Sequence, residues 1–452
     1  MPEPPRESPV VAVRSGPALC GQIQVSIQSD RLPVALKWKL AQSFRSLVNR
    51  TGPVWESLTR RNHRIKPEDL LEEAVRETGL EDFGEPPVEL PLRKLSESII
   101  DEARLSHLGR LSFLWDTSRL LVNRLWVTET LHRFPSIEQE RVSAPVFITG
   151  LPRTASTFLQ TLFLQDPANR LPRVWEVTYP RPGRGYPPDF RVWQRKVRRE
   201  LTWFDFLEPE FQSVYPTTWD SPQECSEILS HSFESYRFDG TYEIPSYIQW
   251  VDQRDPEPAY ILHRRFLQLL QHRGGSGRWV LKAPDHVFTL NGLLRTYPEA
   301  RIIVTHRDPA SVLPSVVALT ALLHGLFSDE TGLEQICHKV TDRWEEGAKR
   351  IVSLAEAPAS REGRVTHVFY DELTRDPVGV LERLYGFLGW PWSEEQHSVF
   401  RRYLTSSRAG RYRPNRFQML LAKKMPPELI RKRFSDYLAK FGIRSESTDL
   451  AG

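Results

Sequence analysis

Cysteine is scarce in this chain of 452 residues, which contains only Cys20, Cys225 and Cys337. Three isolated cysteines form neither a disulfide framework nor a metal-ligand pattern, so the sequence excludes small disulfide-bonded secreted proteins and favours a cytoplasmic location. Long hydrophobic runs are absent as well, because no segment approaches the roughly 20 apolar residues that a membrane span requires. Residues 1–7 are acidic and proline-rich with no apolar stretch behind them. We therefore expect neither a secretion signal nor a transmembrane helix.

Lysine is also scarce, because 12 of the 61 basic residues are lysine and the other 49 are arginine. Arginine offers a planar fork that binds phosphate or sulfate through two hydrogen bonds. The excess therefore permits an anionic ligand, although genomic composition produces the same bias. The arginines are spread among acidic residues and do not form one basic stripe, so nucleic-acid binding is not predicted.

The chain does contain enough apolar material for a large core, with a hydrophobic content of 40% and 13 tryptophans. This composition excludes disordered and fibrous proteins. Residues 1–33 lack clear periodicity and are predicted to be irregular. Apolar residues then recur at helical spacing, and helices are predicted over 35–50, 67–78 and 99–131, the last broken at Gly109. Residues 34–143 are therefore predicted to form a helical N-terminal layer.

The helix over residues 35–50 is amphipathic, with basic residues between its apolar positions. Such a helix more often packs against a protein core and leaves its charged face in water. The alternative is a helix that lies on a membrane surface. A peripheral membrane contact through residues 35–50 therefore stays open.

From Ala144 onward, short β-branched runs alternate with amphipathic helices. Strands are predicted over 146–149, 279–282, 301–306 and 365–369, and helices over 157–165, 286–296, from 309 and over 377–388. This alternation predicts an α/β fold with a mostly parallel central sheet flanked by helices. Ligands of such sheets bind at the carboxyl ends of the strands.

The first predicted strand is followed by a tight turn rich in small residues, Gly150-Leu151-Pro152-Arg153-Thr154-Ala155-Ser156-Thr157. Backbone N–H groups and the helix dipole converge in such a loop, which makes an anion site, although a capped helix start has the same appearance. In the nucleoside triphosphatase pattern G-x-x-x-x-G-K-[ST], Gly150 and Thr157 agree, but Ala155 replaces the second glycine and Ser156 the lysine. Arg153 supplies a cation instead, which favours an anhydride other than ATP.

Two further strand ends carry charged residues. Lys282 ends the second strong strand and is either a charge stabiliser or part of a surface ion pair. His286 follows in the first turn of a helix, where the dipole disfavours the imidazolium; it is either a base or a structural hydrogen-bonding residue. Arg307 ends the most apolar strand, and Pro314 in the next helix is expected to bend it and present Ser315 toward Arg307.

From about Leu70 to Tyr412 the sequence resembles the sulfotransferase family that uses 3′-phosphoadenosine 5′-phosphosulfate (PAPS), in the bacterial-type branch related to tyrosylprotein sulfotransferases. The loop after the first strand is similar to the family's G-x-P-R-[ST]-G-[ST]-[ST] loop for the 5′-phosphosulfate, with Ala155 in place of the usual glycine. Arg307 and Ser315, eight residues apart, match the family's pair for the 3′-phosphate. The resemblance implies a P-loop-like core over residues 144–405 that binds PAPS. It assigns this binding to Gly150, Pro152, Arg153, Thr154, Ala155, Ser156, Thr157, Arg307 and Ser315.

Further matches lie in other segments, and the one near the C-terminus is the weakest. Glu176 falls in a stretch that resembles the one carrying the family's acceptor-activating glutamate, and Lys282 and His286 match its Lys-x-Pro-x-His segment. Near the C-terminus, Arg411 lies in a stretch that resembles a loop closing over the nucleotide. The resemblance therefore implies a nucleotide-closing loop and helix over residues 406–452.

The implied reaction moves a sulfuryl group in line from PAPS to a hydroxyl, or less favourably an amine, and releases 3′-phosphoadenosine 5′-phosphate (PAP). Negative charge develops on the bridging oxygen of the leaving phosphate, where Arg153 and Lys282 are suited to stabilise it. Glu176 is the preferred general base and His286 the second choice. No divalent metal is expected in this chemistry.

Two other interpretations stay open beside this one. An ATP-dependent kinase would require the loop lysine that Ser156 replaces, and a non-catalytic nucleotide-binding relative would bind PAP without transfer. The acceptor is expected to be a small molecule, a lipid or a glycan. Aromatic residues between Trp203 and Trp250, together with the helix over 35–50, favour a lipid or another hydrophobic alcohol. The sequence makes no prediction of oligomeric state.

Overall fold

The computed structural model of the protein describes residues 34–59, 65–183, 188–275, 277–330, 332–406 and 425–446. The irregular segment predicted for residues 1–33 lies outside these ranges, and so does Arg411.

Helices precede the sheet in the chain. They are α1 (Val34–Thr59), α2 (Pro67–Thr78), α3 (Glu89–Asp101) and α4 (His107–Arg133). The helix expected over 99–131 does not break at Gly109, because α4 begins after Ser106, whose Oγ accepts a 3.1 Å hydrogen bond from the Gly109 amide. Gly109 instead allows close packing, since a Cβ there would lie 1.8 Å from the Phe327 carbonyl oxygen.

In the described residues the central sheet has five strands, all parallel: β1 (Val146–Gly150), β2 (Asn169–Arg170), β3 (Arg278–Lys282), β4 (Arg301–His306) and β5 (Val365–Phe369). Their order is β2-β3-β1-β4-β5, so the first strand of the chain is central. The predicted α/β class is confirmed. Because β3 and β4 flank β1 in parallel, the segments that follow these three strands leave the same edge of the sheet.

Helices surround the strands. They are α5 (Ser156–Phe163), α6 (Val174–Thr178), α7 (Arg191–Leu207), α8 (Phe211–Val214), α9 (Cys225–Leu229), α10 (Arg237–Thr241), α11 (Pro245–Asp252), α12 (Glu257–Gly274), α13 (His286–Thr296), α14 (Pro309–Phe327), α15 (Leu333–Leu354), α16 (Pro358–Arg361), α17 (Tyr370–Arg375), α18 (Pro377–Leu388), α19 (Glu394–Ser406), α20 (Pro427–Arg433) and α21 (Ser435–Phe441). Short 3₁₀ turns lie at Pro135–Gln139 and Ser230–Ser232.

The sheet is covered on both faces, and β1 shows how. Phe147 packs into a cluster with residues of α12, α13 and α15, whereas its neighbours Val146 and Ile148 pack into a separate cluster with α5, α18 and α19. Alternate residues of a strand point to opposite faces, so a strand buried on both sides is apolar at every position. This explains why β1 and β4 read as continuous apolar runs in the sequence.

Helix α14 is the one helix of the described ranges that is long and apolar enough to span a membrane. The share of its apolar window that is buried inside the protein is 56%. It contacts α4, α10, α15 and α20, and it follows β4 at the edge formed by the carboxyl ends of the strands. Packing within the fold therefore explains why α14 is so apolar, because a helix covered on several sides is apolar around its circumference.

Candidate active site

The loop between β1 and α5 turns through three residues with positive φ. These are Gly150 at 138°, Arg153 at 61° and Ala155 at 62°. Gly150 must be glycine, because a Cβ there would lie 2.3 Å from the Thr305 carbonyl oxygen of β4. The hydroxyl of buried Thr154 lies 2.6 Å from that of Thr305. The loop is thereby attached to β4 and leads directly into the N-terminus of α5, a geometry suited to an anion.

Three residues predicted to bind the donor meet beside this loop. The Arg153 Nε donates a 3.1 Å hydrogen bond to the Ser315 Oγ of α14. The Arg307 Nη1 donates to the carbonyl oxygen of Arg153 at 3.2 Å. Ser315 thus lies against Arg153, which is itself bonded to Arg307, and α14 continues through Pro314. The loop after β1 and the helix after β4 therefore form one cationic site.

The C-terminal segment reaches the same site. Arg307 forms a bidentate ion pair with Glu446, with Nε–Oε1 and Nη2–Oε2 distances of 2.7 and 3.0 Å. Its guanidinium carbon also lies 3.7 Å from the centre of the Tyr370 ring. The neighbouring Asp308 caps α14 by accepting a 3.0 Å hydrogen bond from the Ala310 amide. A carboxylate of this chain thus occupies the arginine predicted to bind the 3′-phosphate.

Lys282 lies at the carboxyl end of β3 and is only 1% exposed. Its ammonium donates a 3.1 Å hydrogen bond to the Thr157 Oγ1 in the first turn of α5, and it forms an ion pair with Glu224. The surface ion pair considered from the sequence is therefore wrong. A buried ammonium beside an anion-binding loop is placed to stabilise negative charge that develops there.

His286 is completely buried at the start of α13. Its Nδ1 lies 2.5 Å from the Tyr260 hydroxyl, and its ring contacts the Phe147 ring edge-on at 5.1 Å between centroids. Burial holds the pKa of His286 well below its ordinary value, and the charges of His263 and Lys282 act in the same direction. The imidazole is therefore neutral, as the helix dipole predicts, but it lies inside the core.

Glu176 lies in α6, the short helix after β2, and its carboxylate is bonded on both oxygens. It accepts hydrogen bonds of 2.6 and 3.1 Å from the Arg170 guanidinium and one of 2.9 Å from the Arg173 amide. The structure therefore places this predicted base in an ion pair and a capping box. Its role as the base stays a prediction.

Glu224 was missed by the sequence analysis, although it contacts Lys282 directly. It also accepts a 3.0 Å hydrogen bond from the Tyr215 hydroxyl. The sequence marks this position only as a glutamate before the buried helix α9, a pattern that any helix cap shares. Only the approach of the 219–224 segment to the end of β3 shows its place in the site.

No group of three or more histidine, cysteine or acidic side chains in the part of the chain that the structure describes is arranged to hold a metal ion.

Of the aromatic residues considered for an acceptor pocket, Tyr242 and Tyr247 are core residues, 3% and 1% exposed. Tyr215 instead donates its hydroxyl hydrogen bond to Glu224. Of the aromatic residues between 203 and 250, some are therefore core residues and at least one lies at the candidate active site.

Comparison with known proteins identifies what this arrangement is similar to. A model of the sulfotransferase family matches residues 145–394, which include the whole central sheet. The omega-hydroxy-beta-dihydromenaquinone-9 sulfotransferases Stf3 of Mycobacterium bovis and Mycobacterium tuberculosis are each 26% identical over 299 residues, 62% of this chain and 71% of theirs.

Solved structures agree with this likeness. The sulfotransferase STF1 of Mycobacterium tuberculosis superposes with a TM-score of 0.69 at 27% identity, over 82% of this chain and 98% of that chain. The sulfotransferase STF9 of Mycobacterium avium has a TM-score of 0.75 at 24% identity, over 84% of this chain and 97% of its own, and supports the fold.

Proposed function

The chain belongs to the sulfotransferase family, and on that basis we propose which residues carry out its sulfuryl transfer from PAPS to a hydroxyl acceptor. Arg307 and Ser315 bind the 3′-phosphate, while the loop from Gly150 to Thr157 binds the 5′-phosphosulfate. The observation that carries this assignment is the 3.1 Å hydrogen bond between Arg153 and Ser315, which joins the two anion sites. Two phosphates of one nucleotide can then be held by adjacent strand ends.

The chemical step needs stabilisation of the leaving phosphate. We assign it to Arg153 and Lys282, since a fixed cation in a buried site interacts with developing charge more strongly than one in water. The kinase alternative is not favoured, because it requires a loop lysine where Ser156 stands.

The acceptor is a small molecule, and we propose a lipid or another hydrophobic alcohol. The support is the exposed apolar side of α1, where Leu36, Leu40 and Leu47 are 42%, 45% and 59% exposed. The Stf3 relatives are named for a hydroxylated menaquinone, a molecule of the same class. Peripheral membrane contact through residues 35–50 belongs to this proposal, because such an acceptor resides in a bilayer. The cytoplasmic location stays a prediction from the sequence.

Incubation with ³⁵S-labelled PAPS and host extract tests the proposal. The extract is divided into lipid, glycan and small polar fractions before the reaction. We expect label in the lipid fraction and release of PAP. Label confined to the glycan fraction would exclude the lipid acceptor, and PAP binding without any labelled product would favour the non-catalytic alternative.

A further inference from the structure

We propose that Glu224 is the general base that accepts the proton of the acceptor hydroxyl, an inference that rests on the sulfuryl transfer proposed above. A base must lie within hydrogen-bond reach of the attacking oxygen. In the assignment proposed above, Lys282 contacts the bridging oxygen, to which the reacting sulfur is bonded, so the attacking hydroxyl must enter near Lys282. Glu224 is the carboxylate that contacts Lys282.

The ion pair with Lys282 is compatible with this role. An ammonium has three N–H donors, so donation to Thr157 and Glu224 still permits a third contact, with the bridging oxygen. The Lys282 ammonium would then contact both the bridging oxygen of the donor and the Glu224 carboxylate that accepts the proton. The side chain of Glu224 is 17% exposed and that of Lys282 is 2% exposed, so an entering hydroxyl can reach the carboxylate.

The segment that carries Glu224 is fixed through its backbone. Residues 219–223 pair with the start of α6: the Val174 amide donates to the Ser221 carbonyl at 2.9 Å, and the Gln223 amide donates to the Pro172 carbonyl at 2.8 Å. The start of α6 is in turn held by Glu176 through the Arg173 amide. Glu176 is therefore assigned as a positioning residue, which acts on the site through the segment docked against α6.

Other charged or polar groups around Glu224 favour a fixed carboxylate. The Tyr215 hydroxyl donates to it at 3.0 Å, and the Ser226 hydroxyl lies 3.5 Å away. Besides burial, the charge of Glu224 raises the pKa of Asp285, and the charge of Lys282 lowers it. These contacts hold the Glu224 carboxylate beside Lys282, which itself contacts Thr157 of the loop after β1.

The step balances as an in-line displacement. The acceptor oxygen forms a bond to sulfur, the bond between sulfur and the bridging oxygen breaks, and that electron pair stays on the phosphate of PAP. The acceptor proton moves to a carboxylate oxygen of Glu224 and later to water. Lys282 and Arg153 balance the charge on the phosphate. Sulfur keeps its oxidation state, so the step requires no oxidant or reductant.

Glu224→Gln tests the proposal in the full chain, with ³⁵S-labelled PAPS and the acceptor fraction that the wild-type protein labels. We expect kcat to fall by about 10²–10⁴-fold, while the Kd of PAP measured by calorimetry stays within threefold. Glu234→Gln is the matched control, since Glu234 is a partly buried glutamate paired with Arg254 and has no assigned role in donor or acceptor binding, and it should keep wild-type kcat.

Several outcomes separate this base from its rivals. If Glu224→Gln keeps wild-type kcat while Glu176→Gln loses it, the assignment is overturned. Weaker PAP binding at unchanged kcat would also overturn it, because Glu224 would then only hold Lys282. If Glu224→Gln does not fold, Glu224→Asp decides: a lower kcat at unchanged PAP affinity supports the base, and an unchanged kcat excludes it. A wild-type protein that transfers no label would contradict the proposed function instead.

Discussion

At the scale of single residues, Ala155 combines a side chain with a backbone conformation that suits glycine. Its φ and ψ are 62° and 19°. The left-handed region costs a residue with a Cβ roughly 1–2 kcal/mol, and such strain persists where a ligand-binding loop requires the shape. The methyl group therefore does not prevent the loop geometry, and the surrounding contacts of Thr154 hold it in place.

Ala155→Gly should stabilise the protein by about 0.5–1 kcal/mol, because relief of the left-handed strain exceeds the extra chain entropy of glycine. Thermal unfolding with and without PAP measures this, and PAP should still raise the melting temperature. Gly150→Ala is the opposite control, since its Cβ would meet the Thr305 carbonyl oxygen. A melting temperature lowered by Ala155→Gly would show that the strain is absent.

Asp285 is the second residue with an unusual state. Burial raises its pKa to about 7, and the neighbouring Glu224 acts in the same direction, while Arg343 and Lys282 oppose the shift. Its ordinary pKa is 3.8. Between these values the folded protein binds a proton that the unfolded chain has lost, so stability declines as pH rises from about 4 to 7.

Asp285→Asn should remove this pH dependence. Because Asp285 is half-buried, we expect the variant to gain about 2 kcal/mol relative to wild type between pH 5 and pH 8. Urea unfolding at both pH values gives the difference. Asp436→Asn, at an exposed position of α21, is the control and should show no such change. An equal difference between Asp285→Asn and wild type at both pH values would contradict the raised pKa.

At the scale of elements, helix α1 has two apolar sides. On one side Ala41 is fully buried, and Phe44 packs against Trp203 and Phe206 of α7 at ring distances of 6.4 and 5.6 Å. This side is the packing face expected of an amphipathic helix. The other side presents leucines to solvent beside basic residues, which packing within the described chain does not explain.

The double variant Leu40→Ser/Leu47→Ser should weaken binding to anionic vesicles of phosphatidylglycerol at least tenfold, because both side chains lie on the exposed side of α1. Vesicle co-sedimentation measures this, with the melting temperature as a check on folding. Leu429→Ser is the control, since Leu429 is 62% exposed on α20. Equal vesicle binding of both variants would remove α1 from the proposed contact.

Several individual strands and helices, most of them in the α/β core, were the part of the fold most accessible from the sequence. The strands over 301–306 and 365–369 and the helices over 67–78, 286–296 and 377–388 have the predicted bounds. Their apolar runs, proline starts and periodicity are local signals. The break before α4 was misplaced, because glycine was taken as the interruption and the Ser106 cap was not.

At the scale of the whole molecule, the C-terminal segment reaches the candidate active site through Glu446. Glu446 pairs with Arg307, about 140 positions earlier in the chain, and the Glu446 amide lies 3.3 Å from an Asp308 carboxylate oxygen. In the proposed assignment, a 3′-phosphate that binds Arg307 displaces the Glu446 carboxylate. The carboxylate and the phosphate compete because both are anions that bind a guanidinium group through two hydrogen bonds.

Glu446→Gln should tighten PAP binding about threefold to tenfold, because a neutral amide competes less with phosphate for Arg307. Calorimetry of PAP measures the change, and adenosine 5′-phosphate, which lacks the 3′-phosphate, should bind as in wild type. Glu356→Gln removes a remote ion pair with Lys440 and is the control. Weaker PAP binding in Glu446→Gln would show that Glu446 supports the site.

The sequence by itself determined the fold class and marked the loop after β1 as a candidate anion site, because both depend on local patterns: alternating strands and helices, and a short motif at one strand end. The partners of those residues were decided only in three dimensions. Glu176 is bound to Arg170, Glu224 lies beside Lys282 and Glu446 covers Arg307. The last two of these contacts join segments far apart in the chain. Local periodicity carries no information about which carboxylate meets which cation, since that is fixed by strand order and helix packing.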